Sequence, residues 1–257
     1  MKSSGLLHPS APQHWLTASD LDLAVTTFGA VPDVDVTRAV RAIGRVLRRH
    51  HLDAATRVRV TAPPETDAVT VVQANIRCRG VATRVQVTGP GGFAVTFAAE
   101  RLDRQLARLA TSTSRDWPDP ARPPLAQVTE PRPIVRRKPV ELLTGTPAEA
   151  TAVMDAMDYD AYLFTDGETG LDAVVAWGDP LGVRLSRQDA VTNGPQRVNL
   201  LPIAVDPEPA PVLDEDRAAR ILCHHGLPFL FFTDSIDGRG RLLYRRYDGD
   251  LSLVEPA

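Results

Sequence analysis

The chain has 257 residues, of which 43% are hydrophobic and 24% charged, so a wholly disordered protein is excluded. No segment approaches the ~18 apolar residues of a membrane span, and residues 1–19 lack the continuous apolar core of a signal peptide. Two cysteines, Cys78 and Cys223, cannot form a disulfide framework or a four-cysteine metal site. A cytoplasmic protein without membrane contact, with one large or two small domains, is expected.

The net charge of −3 conceals a difference between the two parts of the chain. Residues 20–111 contain 13 arginines and 9 acidic residues, whereas residues 112–257 contain 15 basic and 23 acidic residues. Arginine, whose planar fork suits phosphate, supplies all basic residues except Lys2 and Lys138. This division favours a front part that meets a polyanion, although a GC-rich coding bias would also raise the arginine content.

The first block, residues 20–111, alternates between strand and helix patterns. The apolar period predicts helices over Val36–His50, with Asp35 available as N-cap, and over Phe93–Ala110. A period of two predicts four strands: Leu21–Thr27, Arg57–Thr61, Val69–Arg79 and Val81–Thr88. The order β-α-β-β-β-α is typical of a two-layer sandwich of a sheet and helices.

Arginines occupy one face of each predicted helix. At about 100° per residue, the apolar positions of both helices lie on another face, which must be buried on the sheet. The arginine faces are therefore expected to point to solvent. The first helix has no acidic residue between Thr37 and Leu52, whereas solvated helices usually mix signs, so phosphate contact explains this pattern better than an ordinary solvated face. The arginines are Arg38, Arg41, Arg45, Arg48 and Arg49 on the first helix, and Arg101, Arg104 and Arg108 on the second.

The outer face of the predicted sheet carries a second basic set. Strand alternation places Val58, Ile76 and Val85 toward the helices and five arginines on the opposite face. This outer face is expected to hold no aromatic residue, which disfavours stacking of single-stranded bases and favours recognition of structured RNA by backbone and shape. A merely solvated face explains these arginines equally well. They are Arg57, Arg59, Arg77, Arg79 and Arg84.

A proline-rich segment, residues 112–133, predicts a semi-rigid linker after the first block. Beyond it, residues 134–188 form a first module copy, and residues 189–257 contain a second linker rich in proline, asparagine and glycine and then the second copy, from about residue 197. The copies repeat each other at a shift of 68 positions, so that FTD at 164–166 coincides with FTD at 232–234. A unit of about 50 residues has little core of its own. Each copy is therefore expected to bury its apolar face against the other.

Each copy is predicted to contain a short helix followed by three strands. The helices cover Pro147–Met157, where Thr146 and Glu149 form a capping box, and Asp214–His225. The clearest strands are Ala161–Thr165, Asp172–Trp177, Pro228–Thr233 and Arg241–Arg246. The predicted fold is α+β: the sandwich plus two tandem small α/β modules packed as a pseudo-dimer. The residues expected to pair the modules are Tyr162, Phe164, Val175, Trp177, Phe229, Phe231, Leu243 and Tyr244.

No catalytic residue, cofactor or metal site is predicted. The pairs His50-His51 and His224-His225 are adjacent in sequence, so on a helix they point in different directions and lack metal-ligand spacing. The sequence contains no phosphate-binding P-loop and no G-x-S-x-G motif. Cys78 falls on the inward side of its strand and is expected to be a core residue.

The end of the chain carries the most specific family resemblance. Residues 242–256, LLYRRYDGDLSLVEP, resemble a family ending made of a strand, Y-R-R-x-D-G, a second strand and E-P. Residues 134–138 (IVRRK), 146–150 (TPAEA) and 162–170 (YLFTDGETG) resemble the start and middle of the same module, and 100–106 (ERLDRQL) the last helix of an N-terminal domain. The chain thus resembles a long-form ribosome hibernation promoting factor, a family also called ribosome-associated inhibitor or sigma factor modulation protein.

This resemblance implies a non-enzymatic inhibitor whose front domain sits on the small ribosomal subunit, in the channel used by mRNA and tRNA, and reversibly silences translation. It implies that the module normally pairs with its copy on another molecule and so joins two ribosomes. Ribosomal proteins are further candidate partners of the modules. The implied ribosomal-RNA contacts are Arg38, Arg41, Arg45, Arg48, Arg101, Arg104 and Arg108.

Two departures from the family pattern change this expectation. The module occurs twice, and the first copy has Ala176-Trp177-Gly178-Asp179-Pro180 where the second has Y-R-R-x-D-G. An internal pseudo-dimer, which would stabilise single ribosomes instead of ribosome pairs, is therefore the hypothesis. Phe28-Gly29-Ala30 also lacks the polar residues usual after the first strand.

Two further readings of the sequence remain open. One is a protein-interaction scaffold that acts through the acidic tandem modules. The other is a duplex-nucleic-acid binder that acts away from ribosomes.

Overall fold

The structure is a computed structural model that describes residues 13–16, 21–62, 69–111, 129–178, 182–190, 196–198, 201–246 and 248–257. The chain divides into two compact units. The first comprises residues 1–113 together with 156–158, and the second comprises the remainder. Most of the predicted linker, residues 112–128, lies outside the described residues.

The first unit contains a five-stranded sheet and two helices. The helices are α1 (Asp33–Arg49) and α2 (Phe93–Ala110). The strands stand in sequence order in the sheet, with β2 and β3 parallel and every other neighbouring pair antiparallel. They are β1 (Gln13–Leu16), β2 (Leu23–Gly29), β3 (Thr56–Ala62), β4 (Thr70–Cys78) and β5 (Val81–Gly89). The predicted β-α-β-β-β-α order is present, each element ending within three residues of its predicted bounds, and β1 is an additional edge strand.

The apolar faces of both helices and the inner face of the sheet form one core. Ile43 and Leu47 of α1 and Leu102 of α2 are fully buried against inward-facing side chains such as Val60. Burying a side chain of this size contributes about 1.5–3 kcal/mol, so this set fixes which face of each helix meets the sheet. Cys78 lies in the same core, as predicted.

The start of α1 differs from the prediction. The N-cap is Pro32, which makes no side-chain cap bond, and Asp35 lies in the first turn of the helix. Asp35 is nearly buried there and accepts a hydrogen bond from Arg38 at 2.8 Å. Proline is compatible with a helix start because its missing N–H needs no partner there, which allows α1 to begin earlier than the apolar period indicates.

The second unit contains two sheets, each with one helix. The first sheet has the order β11-β12-β10-β9-β8-β7 and the second the order β13-β14-β15-β16-β6. The helices are α3 (Pro147–Ala156) and α4 (Glu215–His224). The strands are β6 (Ile134–Val140), β7 (Thr144–Gly145), β8 (Ala161–Asp166), β9 (Asp172–Trp177), β10 (Val183–Arg187), β11 (Gln196–Val198), β12 (Leu201–Val205), β13 (Val212–Leu213), β14 (Phe229–Asp234), β15 (Gly240–Arg245) and β16 (Leu251–Pro256).

Each copy contributes a strand to the sheet of the other copy. Strand β6 is the first strand of the first copy but pairs in parallel with β16 of the second copy. Strand β12, its equivalent at the shift of 68, pairs in parallel with β10 of the first copy. The registers agree, because the pair Arg184 and Ala204 is equivalent to the pair Ser252 and Arg136. Each sheet is therefore completed by a strand from the other copy.

Each helix of the repeat begins with a side-chain cap. In α3 the backbone N–H of Thr146 donates to Glu149 at 2.8 Å and the N–H of Glu149 donates to the Thr146 hydroxyl at 3.3 Å, which confirms the predicted capping box. In α4 the carboxylate of Asp214 accepts from the N–H of Arg217 at 2.7 Å. His224 and His225 lie at the end of α4, as expected for a helix terminus.

The cluster that joins the two sheets differs from the expected set. It contains Leu163, Val174, Phe231 and Leu242 as buried members, with Phe229 packed beside them. Alternate residues of a strand point to opposite sides of the sheet, so the neighbours of these residues face the helices instead. Of the eight expected pairing residues, Phe229 and Phe231 are in this cluster. Tyr244 also contacts the other copy, because its ring centroid lies 4.7 Å from Nζ of Lys138 in the first copy. The remaining five differ: Tyr162, Phe164, Val175 and Trp177 line the core under α3, and Leu243 lies under α4.

Candidate nucleic-acid interface

Helix α1 presents five arginines on its solvent face. Arg41, Arg45 and Arg48 are exposed and make no ion pair or hydrogen bond with any residue that the structure describes. Arg38 donates to Asp35 at 2.8 Å and Arg49 to Asp103 at 2.6 Å, but their side chains remain 46% and 68% exposed. Guanidinium groups without internal partners are available to phosphate, and each such contact releases counterions from a polynucleotide.

The end of α1 is tied to α2 through one carboxylate. Asp103 of α2 accepts from Arg49 and lies 2.8 Å from Nε2 of His50. His50 is thus a helix-end residue, as predicted, that holds the two helices side by side. This contact also orients Arg49, and the positive charge of Arg49 suits the C-terminal end of the helix.

The arginines of α2 do not share one exposed face. Arg104 is exposed and has no ion pair among the described residues, and half-buried Arg108 donates to the side chain of Gln105. Arg101 is buried, with 7% of its side chain exposed, and donates to Asp158 at 2.7 Å. Asp158 also accepts from the backbone N–H of Gln86. The expectation that Arg101 points to solvent is therefore wrong, because residues 156–158 cover that part of the helix.

The outer face of the sheet holds most of the arginines expected there. Arg57, Arg59 and Arg77 are exposed on β3 and β4, and Arg84 is half-buried on β5 beside Gln86. Arg79 lies in the turn after β4, with a φ of 49°, and is not on the strand itself. Arg57 donates to Asp22 at 2.9 Å, whereas Arg77 donates to the backbone carbonyl of the turn glycine Gly80.

The outer face of the sheet holds an aromatic ring, contrary to the expectation from the sequence. The guanidinium carbon of Arg59 lies 5.0 Å from the ring centroid of Phe28, which is half-buried on β2. The two side chains line a shallow groove of about 240 Å³ with Thr26, Gln73 and Asn75, among others. Strand β2 runs two residues further than predicted, and its alternation places Phe28 on the same face as Thr26. The premise that disfavoured base stacking is thus wrong.

Within the part of the chain that the structure describes, no group of three histidine, cysteine or acidic residues is placed to hold a metal ion. Burial raises the pKa of the Cys78 thiol, and neighbouring Arg79 lowers it by less. A buried thiol with a raised pKa has little thiolate character. None of the described helices has the length and hydropathy needed to cross a bilayer.

The chain is similar to known proteins in two comparisons. Residues 129–175 match the family model described as sigma 54 modulation/S30EA ribosomal protein C terminus. Over 242 residues the chain is 43% identical to a protein named dormancy associated translation inhibitor from Mycobacterium tuberculosis, in the strains CDC 1551 / Oshkosh and ATCC 25618 / H37Rv. The alignment covers 91% of this chain and 88% of that protein.

This relationship defines a class of ribosome-associated regulators of translation. The chain belongs to the ribosome hibernation promoting factor family.

Proposed function

We propose that the protein is a non-enzymatic hibernation factor that binds the small ribosomal subunit in the mRNA/tRNA channel and reversibly inhibits translation in the cytoplasm. The observation that carries the proposal is the face of α1, where Arg41, Arg45 and Arg48 have no internal partner among the described residues. The name of the mycobacterial relative supports the inhibition. The proposed ribosomal-RNA contacts are Arg38, Arg41, Arg45, Arg48, Arg49, Arg77, Arg79, Arg84, Arg104 and Arg108.

Co-sedimentation of the purified protein with small and large subunits over a salt series tests this proposal. The double variant Arg41→Glu with Arg45→Glu should lose binding to the small subunit. A matched control makes the same charge change on α4, where Arg217 and Arg220 are also exposed. If both double variants bind as the wild type does, the face of α1 is not the RNA-binding surface.

The duplicated module supports a second part of the proposal: the two copies form an internal pseudo-dimer, and the protein stabilises single ribosomes. The shared apolar cluster contains residues that are equivalent at the shift of 68, namely Leu163 with Phe231 and Val174 with Leu242. A surface already occupied within one chain is not free to join a second chain. In sucrose gradients of reconstituted ribosomes, a paired-ribosome peak that depends on the protein would contradict this part.

The acidic character of residues 112–257 would favour a scaffold function if the carboxylates were free. Several of them are instead neutralised inside the second unit. Asp166 pairs with Arg187 at 2.7 Å, with both side chains buried, and Asp172 pairs with Arg239 at 2.8 Å. These internal pairs favour the ribosome-binding function over an acidic docking surface.

A further inference from the structure

The centre of the surface between the two sheets contains a contact between equivalent positions of the repeat. Asp172 begins β9 in the first copy, and Gly240, its equivalent at the shift of 68, begins β15 in the second. The N–H of Gly240 donates to the Asp172 carboxylate at 2.8 Å. Equivalent residues of two paired copies meet only where the local two-fold axis passes. Asp172 and Gly240 therefore mark the axis that relates the two copies.

This position leaves no room for two side chains. A Cβ atom added at Gly240 would stand 2.5 Å from the Cβ of Asp172, closer than real Cβ atoms approach. The Asp172 side chain is 2% exposed, so a second aspartate here would also place two buried carboxylates together, which is strongly unfavourable. Two first copies cannot pair in this geometry, because each would bring Asp172 to the axis.

The positively charged partner of Asp172 comes from the second copy. Nε of Arg239 donates to Asp172 at 2.8 Å, whereas the position equivalent to Arg239 in the first copy is Leu171. Each copy thus carries one half of the ion pair. A pair of two first copies would bury two carboxylates without a cation, and a pair of two second copies would have two arginines and no aspartate.

The exchanged strands carry a similar asymmetry. Arg137 of β6 donates to Glu215 of the second copy at 2.7 Å, and this hydrogen bond holds the pKa of Glu215 below its usual value. The equivalent of Arg137 on β12 is the uncharged Val205. A pair of two second copies would therefore leave Glu215 without this partner.

The next position on the exchanged strands opposes a pair of two first copies. Asp206, which follows β12, accepts from Arg184 of the first copy at 2.8 Å. Its equivalent is Lys138. In a pair of two first copies, Lys138 would face Arg184, and two like charges would replace an ion pair.

We infer that the surface between the two modules is a heterotypic interface, which accepts one first copy with one second copy and rejects two like copies. The inference rests on the proposed internal pseudo-dimer and extends it. A second chain can bind this surface only if its second copy pairs with the first copy of the other chain, and its first copy with the other chain's second copy. A pair of two first copies is excluded by Asp172 and Lys138, and a pair of two second copies lacks both the pair of Arg239 with Asp172 and the pair of Arg137 with Glu215.

Complementary full-length variants test this rule without ribosomes. Variant X carries Arg239→Leu with Gly240→Asp, so that at these two positions both copies have the residues of the first copy. Variant Y carries Leu171→Arg with Asp172→Gly, which gives both copies the residues of the second. A third variant with all four substitutions transposes the residues between the copies and is the matched control. Light scattering after size exclusion gives the mass, and hydrogen exchange gives the protection of amides in β9 and β15.

The wild type and the transposed control should have the mass of one chain, 27.9 kDa, with equal protection. Variant X should lose protection in β9 and β15 by more than about a hundredfold, because it buries unpaired carboxylates. A mixture of X and Y should form a 1:1 heterodimer of about twice the single-chain mass.

The inference is overturned if X alone keeps wild-type protection, or if mixed X and Y remain at the mass of one chain. A wild type and a transposed control that are both dimeric would refute the internal pseudo-dimer, and the heterotypic rule would then be decided by variant X and by the mixture of X and Y. Sedimentation with ribosomes is a separate measurement, so failure of the ribosome-binding proposal does not affect this result.

Discussion

Arg59 lies with its guanidinium carbon 5.0 Å from the ring centroid of Phe28, on the side of the first unit opposite to its helices. A cation over an aromatic face is attracted by the ring quadrupole. The pair places a flat ring and a planar cation next to the amides of Gln73 and Asn75. Such a surface suits an unstacked base, whereas the arginine face of α1 suits a phosphate backbone.

Replacement of Phe28 by alanine is expected to weaken binding of a short single-stranded RNA. Stacking of one base on an aromatic ring contributes about 1–3 kcal/mol, which corresponds to a loss of roughly fivefold or more in affinity. Fluorescence anisotropy with a labelled oligonucleotide measures the change. Phe28→Trp retains a ring and is the control. Equal affinities of the alanine variant and the wild type would exclude stacking at this face.

Single alanine substitutions on α1 should change the salt dependence of RNA binding by different amounts. Arg41 and Arg45 have no internal partner among the residues described. The loss of either should therefore reduce the magnitude of the slope of log K against log salt by about one, the contribution of one phosphate contact. Arg38 already pairs with Asp35, so Arg38→Ala should reduce it less. Slopes measured for the small ribosomal subunit check this order, and identical slopes for all variants would contradict phosphate contact through α1.

Arg101 is expected to act on stability and not on RNA binding. Arg101→Ala would leave the buried carboxylate of Asp158 without its cation, at a cost of about 3–5 kcal/mol in the free energy of unfolding. The double variant Arg101→Met with Asp158→Leu should recover much of this loss, because it removes both charges. Denaturant unfolding measures both variants. A fully stable Arg101→Ala variant with weakened RNA binding would show that Arg101 contacts RNA after all.

The second unit should lose stability in acid through Glu215. The hydrogen bond from Arg137 lowers the pKa of Glu215, and desolvation opposes this with a smaller effect. A carboxyl group whose folded pKa is lowered stabilises the fold above its unfolded pKa of about 4.3 and loses that contribution as the pH falls through the folded pKa. Glu215→Gln should therefore be less stable than the wild type at pH 7 and differ less from it near pH 3.

Thermal unfolding over this pH range measures the Glu215 effect. Glu208→Gln removes an exposed carboxyl group that has no ion pair among the described residues, and it is the matched control for the loss of one negative charge. A constant difference between Glu215→Gln and the wild type from pH 3 to pH 7 would contradict the lowered pKa.

The local structure of the first unit could be predicted because each element has a single apolar period. Helix α2 begins and ends at the predicted residues, Phe93 and Ala110. The position of Arg101 could not be predicted in the same way. A helical period separates apolar from polar faces, but it does not show that residues 156–158, far along the chain, cover part of the polar face.

The strand exchange in the second unit could not be predicted from local patterns either. Strands β6 and β12 are equivalent in the repeat, so apolar alternation does not distinguish their two possible sheets. The distinction lies in single charges, such as Arg137 against Val205 and Lys138 against Asp206. Their partners are known only when the sheets are assembled. The same limit explains why five of the eight expected pairing residues lie elsewhere, since alternation gives two faces without saying which one meets a helix.

The reciprocal placement of β6 and β12 has an evolutionary consequence. A deletion that removed the second copy would take β11 and β12 from the first sheet, which would uncover β10, and would leave β6 with no sheet to join. A deletion of the first copy would take β6 from the second sheet and would leave β12 with no sheet to join. Loss of one copy by a single truncation would therefore give a product with an uncovered edge, so selection should retain both copies once the duplication has arisen.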